Sequence, residues 1–227
     1  MKKILFLLFA FITLSTSVNA QILRAEELEK YAKEKYGENW VDAATNLGSQ
    51  LTLDKNNAIT YVQVIPAEGK TQEQLYVLLN YWFTATFNDA NSVIKLNDKE
   101  LGTIIAEGHV SDIARHMGGM SAYNVSIKPI IKCDIKNEKI RVTYTVPYYE
   151  ITRLIGGGIA GTLAGAHPTR LDEKWVLDSC FPFAKKDKHK KASCKALVMA
   201  HAYSNVVIDK IEECIKNGLV GNESENW

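Results

Sequence analysis

The residues that most resemble a chemical motif are Gly156-Gly157-Gly158-Ile159-Ala160-Gly161, which spell GxGxxG and are followed by Asp178. In a dinucleotide site those glycines open a helix whose N-terminus holds a pyrophosphate, and a parallel strand follows. Pro168 leaves little room for that helix, and the strands before it are patterned as hairpins. With no Gly-Lys-Ser or Gly-Lys-Thr, a phosphate loop is excluded as well. The five histidines, His109, His116, His167, His189 and His201, form no HExxH and no close pair with cysteine. Asp112 and His116 are spaced to share a helical face. There is no GxSxG or SxxK. Carboxylate pairs such as Glu212-Glu213 are adjacent in sequence, so on a helix they point apart. The reading therefore assigns no catalytic residue, no cofactor and no metal.

Three other clusters remain as candidates. Gly157, Gly161 and Gly165 recur at four-residue spacing in an uncharged stretch, a small-xxx-small pattern suited to a partner or membrane contact. Lys185, Lys186, Lys188, Lys190 and Lys191 crowd one short segment and could hold an anion. No arginine or aromatic is interleaved with them, so nucleic-acid recognition is not expected. Cys180 and Cys194 flank that segment and are the expected disulfide, with Cys133 and Cys214 left over.

The N-terminus bears on the cysteines. Lys2 and Lys3 precede an apolar run from Ile4 to Ile12, and Val18 and Ala20 suit a signal peptidase, the layout of a Sec-type signal peptide covering 1–20. Cleavage after Ala20 would leave Gln21 first and deliver the chain to the periplasm or the extracellular space, where disulfides form. The precursor has 27 basic and 26 acidic residues. Without Lys2 and Lys3 it is close to neutral, and no transmembrane span is expected after cleavage.

These clusters need a frame. Residues 21–50 read as a helical extension, with AEELEKYAKEKY followed by Trp40, Val41, Ala44 and Leu47 at helical spacing. Ile59 to Val64 alternate as a strand ended by Pro66. Thr71-Gln72-Glu73-Gln74 is a capping box ahead of Leu75, Leu78, Leu79, Trp82 and Phe83. Polar turns at 97–100 and 136–139 then join two pairs of strands, the longer pair running over 123–134 and 140–151. Residues 153–191 read as a Gly-rich and Lys-rich connector, and 192–218 as a helix packing on the core.

The pieces ITYVQVIPAEGKTQEQLYVLLNYWFTATF, KLNDKELGTIIAEG and IKCDIKNEKIRVTYT resemble an exported bacterial family of unknown function, domain-of-unknown-function family 4468, with a TBP-like fold. Gly69, Thr71, Tyr76, Trp82, Lys99, Gly102, Ile104 and Ile105 carry the likeness. It implies an α+β core over 51–152, a curved antiparallel sheet in the order β-α-β-β-β-β-α with two covering helices, and it brings no catalytic or binding residue. The expected role is a non-catalytic binding or structural protein of the cell envelope, meeting an unknown protein, peptide or glycan, with Tyr61, Tyr123, Tyr144, Tyr148 and Tyr149 on an open face. The alternatives are an exported hydrolase or an envelope assembly protein that uses the glycine segment.

Overall fold

The computed structural model describes residues 22, 24–87, 93–165 and 167–218, so the expected signal peptide lies outside the described residues. The elements are α1 (Ala25–Tyr36), α2 (Trp40–Gly48), β1 (Ile59–Pro66), α3 (Gln72–Thr86), β2 (Ile94–Asp98), β3 (Thr103–Glu107), β4 (Val110–Met117), β5 (Ser121–Ile127), β6 (Ile130–Lys136), β7 (Lys139–Val146), β8 (Tyr148–Ile155), α4 (Ile159–Leu163), β9 (Thr169–Val176) and α5 (Lys190–Asn217). A single 3-10 turn, Leu177–Ser179, follows β9.

The strands form two antiparallel sheets, β1-β7-β6-β3-β2 and β4-β5-β8-β9. Three chain segments cross from one sheet to the other. β3 continues into β4 through Gly108-His109, β5 into β6 through Lys128-Pro129, and β7 into β8 through Pro147, with the same neighbours on both sides. Proline has no N–H for the ladder, so two prolines on adjacent strands interrupt pairing along one line. Gly108 N–H still donates to Pro129 O at 2.9 Å and holds the seam together. The result is one strongly curved sheet bent across its middle.

This corrects the expected strand count. The long strands at 123–134 and 140–151 each cross the seam, and two strands were not anticipated. The sequence suggests a loop at β4, with Asp112 and His116 on a helical face; the segment is extended instead, and Asp112, at φ 50°, sits where its register shifts against β5. β9 occupies part of the expected connector and is mostly exposed, so apolar alternation does not announce it.

α5 is buried nearly all round from Ala192 to Ile208, and on one side only from there to Ile215. It packs against β4, β5, β1 and β7 on one side and against α1, α2 and α3 on others. Helix α3 opens on the expected reciprocal cap: Gln74 N–H donates to Thr71 Oγ1 at 3.2 Å, and Thr71 N–H donates to Gln74 Oε1 at 2.9 Å. Its Leu75, Leu79 and Phe83 are fully enclosed, each contributing roughly 1.5–3 kcal/mol of transfer free energy. Lys195 of α5 and Glu29 of α1 form a half-buried ion pair at 2.8 Å, which ties the N-terminal helices to α5.

Two polar groups inside this packing have consequences. Tyr144 is wholly buried and its hydroxyl has no hydrogen-bond partner among the described residues. His201 of α5 lies between β1 and α1: its Nδ1 is 3.0 Å from the Tyr61 hydroxyl, its Nε2 is 3.5 Å from Asn205 Nδ2, and its ring meets Tyr36 edge-on. Burial, helped by the charge of Lys35, pushes the His201 pKa down to about 4.

Two stability measurements test these statements. Tyr144→Phe removes a desolvated hydroxyl that makes no bond, so its urea midpoint should equal or exceed the wild type's, with a gain of up to about 1–3 kcal/mol; a clear loss would show that the hydroxyl is bonded. For His201 the unfolded chain takes up the proton first, because the folded pKa lies below the ordinary 6.5. Its contribution is whole above pH 6.5 and is lost as pH falls to about 4, amounting to about 3 kcal/mol. His201→Gln should flatten the stability curve in that window, as measured by denaturation at stepped pH.

Candidate functional site

One face of the second sheet is built in rows. His116, Tyr123, Arg153 and Leu171 stand directly across β4, β5, β8 and β9. The next rows inward hold Val125, Ile151 and Glu173, then Ile127, Tyr149 and Trp175. Val125, Ile127, Ile151 and Tyr149 are buried, and α5 packs on β4 and β5. Where this cover ends, a cleft of 690 Å³ opens between Glu173 and Trp175 of β9, Ser179 and Cys180 after it, and the loop Lys186-Asp187-Lys188-His189 that leads into α5.

Its floor is aromatic. The His189 ring stacks on Trp175 with centroids 4.7 Å apart and planes 10° from parallel, and Tyr123 meets both rings, at 5.2 Å and 6.0 Å. The Arg153 guanidinium lies over Tyr123 at 5.6 Å, and its Nη1 is 3.7 Å from Glu173 Oε1. Trp175 Nε1–H donates to Glu173 Oε2 at 2.8 Å. Glu173 is thus engaged on both oxygens, whereas Arg153 Nε is buried without a hydrogen-bond partner among the described residues. Lys186 and Lys188 are exposed and form no ion pair among the described residues. Burial, followed by the charges of Lys188 and Arg153, lowers the His189 pKa, so near neutral pH its ring is uncharged and stacks as an aromatic.

The loop is closed by a carboxylate. Asp187 accepts from Phe181 N at 3.0 Å, His189 N at 2.6 Å and Ser193 Oγ at 2.6 Å. The expected bridge between Cys180 and Cys194 is not formed: both are free thiols, as are Cys133 and Cys214. Burial pushes the Cys180 and Cys194 thiols up to about 11. Cys180 donates its S–H to Val176 O, and Ser179 donates its hydroxyl to the same carbonyl. Neither is activated as a nucleophile, since each proton is committed to a backbone oxygen and no base receives it. Among the described residues no group of three His, Cys, Asp or Glu is placed to hold a metal ion.

The five lysines divide. Lys186 and Lys188 line the cleft; Lys190 lies over the Phe181 ring at 3.9 Å; Lys191 is near enough to His116 to help lower its pKa, after burial; Lys185 is exposed outside the lining. Gly157, Gly161 and Gly165 do not form a helical stripe, because α4 spans only Ile159–Leu163 and Gly165 lies beyond it at φ 65°. The GxGxxG letters therefore open a five-residue helix that leads to antiparallel β9.

The expected tyrosine face also divides. Tyr144 and Tyr149 are core, Tyr61 pairs with His201, Tyr148 sits under Lys174 at 3.5 Å, and Tyr123 alone reaches the cleft. Trp175, Arg153 and Glu173 had no signal in the sequence, since they lie on two strands at a register that the sequence does not reveal.

A comparison with curated proteins finds no match. Among solved structures, the chain is similar to a TBP-like protein from Parabacteroides distasonis ATCC 8503, with 11% identity, a TM-score of 0.47, and 72% of this chain and 96% of that one covered. It is also similar to a DUF4468 family protein from Bacteroides ovatus ATCC 8483, with 14% identity, a TM-score of 0.42, and coverage of 71% and 90%. A family model described as "Domain of unknown function (DUF4468) with TBP-like fold" matches residues 61–150, which takes in β1 through the first part of β8 but not β9, the lysine loop or α5. The curved α+β segment at 61–150, whose Tyr123 meets the rings at the floor of the cleft, is thus the part of the chain that is similar to the DUF4468 domain with a TBP-like fold.

Proposed function

We propose that the protein is an exported, non-catalytic binding protein of the cell envelope, and that the cleft beside Trp175 takes a negatively charged group. The observation that carries this is the difference in bonding between the lysines and the carboxylates there. Lys186 and Lys188 are exposed and in no ion pair among the described residues, Glu173 is engaged by Trp175 and Arg153, and Asp187, the other carboxylate of the lining, is turned into its own loop by three hydrogen bonds. Two exposed lysines beside carboxylates whose oxygens are already bonded can meet an anion, and the stacked His189 and Trp175 rings give the cleft an apolar floor. Export is supported by Lys2, Lys3, the apolar run that follows, and the small residues Val18 and Ala20.

Two measurements test the reading. Fractionation with intact-mass analysis should place the protein in the periplasm or medium, beginning at Gln21; a full-length chain retained in the cytoplasm overturns export. On immobilised heparin, used as a polyanion probe, the double variant Lys186→Glu/Lys188→Glu should elute at clearly lower salt than wild type. Elution of the two at the same salt would remove the cleft as an anion site.

A further inference from the structure

Next to the cleft, two loops are locked into one rigid pole. Gly156 N–H donates to Met120 O at 2.8 Å, Ile159 N–H to Gly118 O at 3.1 Å, and Ala160 N–H to Gly119 O at 2.9 Å. Only glycines allow this approach. A Cβ on Gly158 would lie 2.6 Å from both the Gly118 and Gly119 oxygens, and one on Gly161 would lie 2.0 Å from Gly156 O. The glycine spacing thus serves to join the β4–β5 turn to the segment after β8, without pairing two helices.

What the pole presents outward is apolar. Leu163 is 85% exposed, Met120 64% and Ile159 56%, and Met117 is also exposed. Ile155 and Leu171 are partly exposed as well. They share the face of Arg153, Leu171 directly opposite it and Ile155 two residues further along β8, about 7 Å on. The apolar pole and the cationic cleft are therefore adjoining parts of one surface. Large apolar side chains on loop tips, flanked by unpaired cations, combine the two forces that hold a protein on an anionic bilayer: apolar entry into the interface and attraction to headgroups. No described helix is long and apolar enough to cross a membrane, so this mode is interfacial.

We propose that this end of the molecule docks on an anionic phospholipid surface. Met120, Ile159 and Leu163 enter the interface, and headgroup phosphates meet Lys186 and Lys188. This rests on the cleft being an anion site and names that anion as a lipid headgroup. A partner protein would also cover an apolar patch, but charge complementarity beside the pole selects a surface that is apolar below and anionic above.

The test uses processed protein purified from the exported fraction, floated with vesicles of phosphatidylcholine alone or mixed with phosphatidylglycerol. Binding is expected to the mixed vesicles, at least tenfold weaker to phosphatidylcholine alone, and unaffected by millimolar inorganic phosphate. Ile159→Ser/Leu163→Ser, an uncharged change at two exposed positions, should lose tenfold or more of vesicle binding while keeping wild-type elution from heparin. Lys186→Glu/Lys188→Glu should lose both. The inference is overturned if mixed vesicles are not bound, if the apolar double variant binds them as wild type does, or if light scattering shows a dimer that this variant dissolves, in which case a second copy covers the pole. In any of these results an unchanged heparin shift leaves the cleft standing as an anion site for another ligand; loss of that shift removes the cleft reading itself.

Discussion

The bend across the sheet is the constraint on which the other features depend. Three segments pass through one line at Gly108, Pro129 and Pro147, and where proline removes a ladder donor the strands turn together. A flat sheet of this size could cover a helix on one side only. The bent one offers α5 parts of both sheets, with α1, α2 and α3 closing the remaining sides. That explains why the helix carries so few exposed positions through its middle: it is the core element about which the rest is arranged.

The candidate site follows from the same geometry. α5 covers the inward rows of the second sheet, including Val125, Ile127 and Tyr149, and its first turn leaves the outer row of His116, Tyr123 and Arg153 uncovered. The loop that starts the helix must then cross β9, and Asp187 fixes that crossing with three hydrogen bonds. His189 is thereby set on Trp175. A cleft between helix start and sheet edge is what remains when a rigid helix meets a sheet curving away from it, and the residues lining it come from segments far apart in the chain.

Legibility varied with the range of the interaction that decides each element. The α3 cap and its apolar face could be read because a capping box and a 3.6-residue period are complete within one turn or a few. The hairpin turn at 136–139 is readable for the same reason, whereas the one expected at 97–100 falls at 99–102, because Asn97 and Asp98 still pair with β3. β4 carries no strand signal because Asp112, Arg115 and His116 interrupt its alternation, and a register shift at Asp112 spoils the period of two. β9 escaped because an edge strand with both faces largely wet has no apolar stripe to show. The lysine cluster was visible as composition, yet only Lys186 and Lys188 line the cleft, because the start of α5 turns Lys190 toward Phe181 and Lys191 toward His116. The cysteine spacing suggested a bridge, whereas Asp187 closes that loop.

By itself the sequence determined the class of the protein, an α+β chain, with a helix-start signal at Thr71, a glycine segment and a lysine segment. These are local patterns, and local backbone preference is enough to set them. Tertiary structure alone decided that the glycines join two loops, that the buried tyrosines are core, and that Trp175, His189, Tyr123 and Arg153 share one cleft. Those outcomes, in which Tyr123 and Arg153 lie against the lining residues Trp175, His189 and Glu173, depend on strand register and on where the sheet bends. Register is a contact between residues distant in sequence, set by the packing of the whole face, so no single segment carries it.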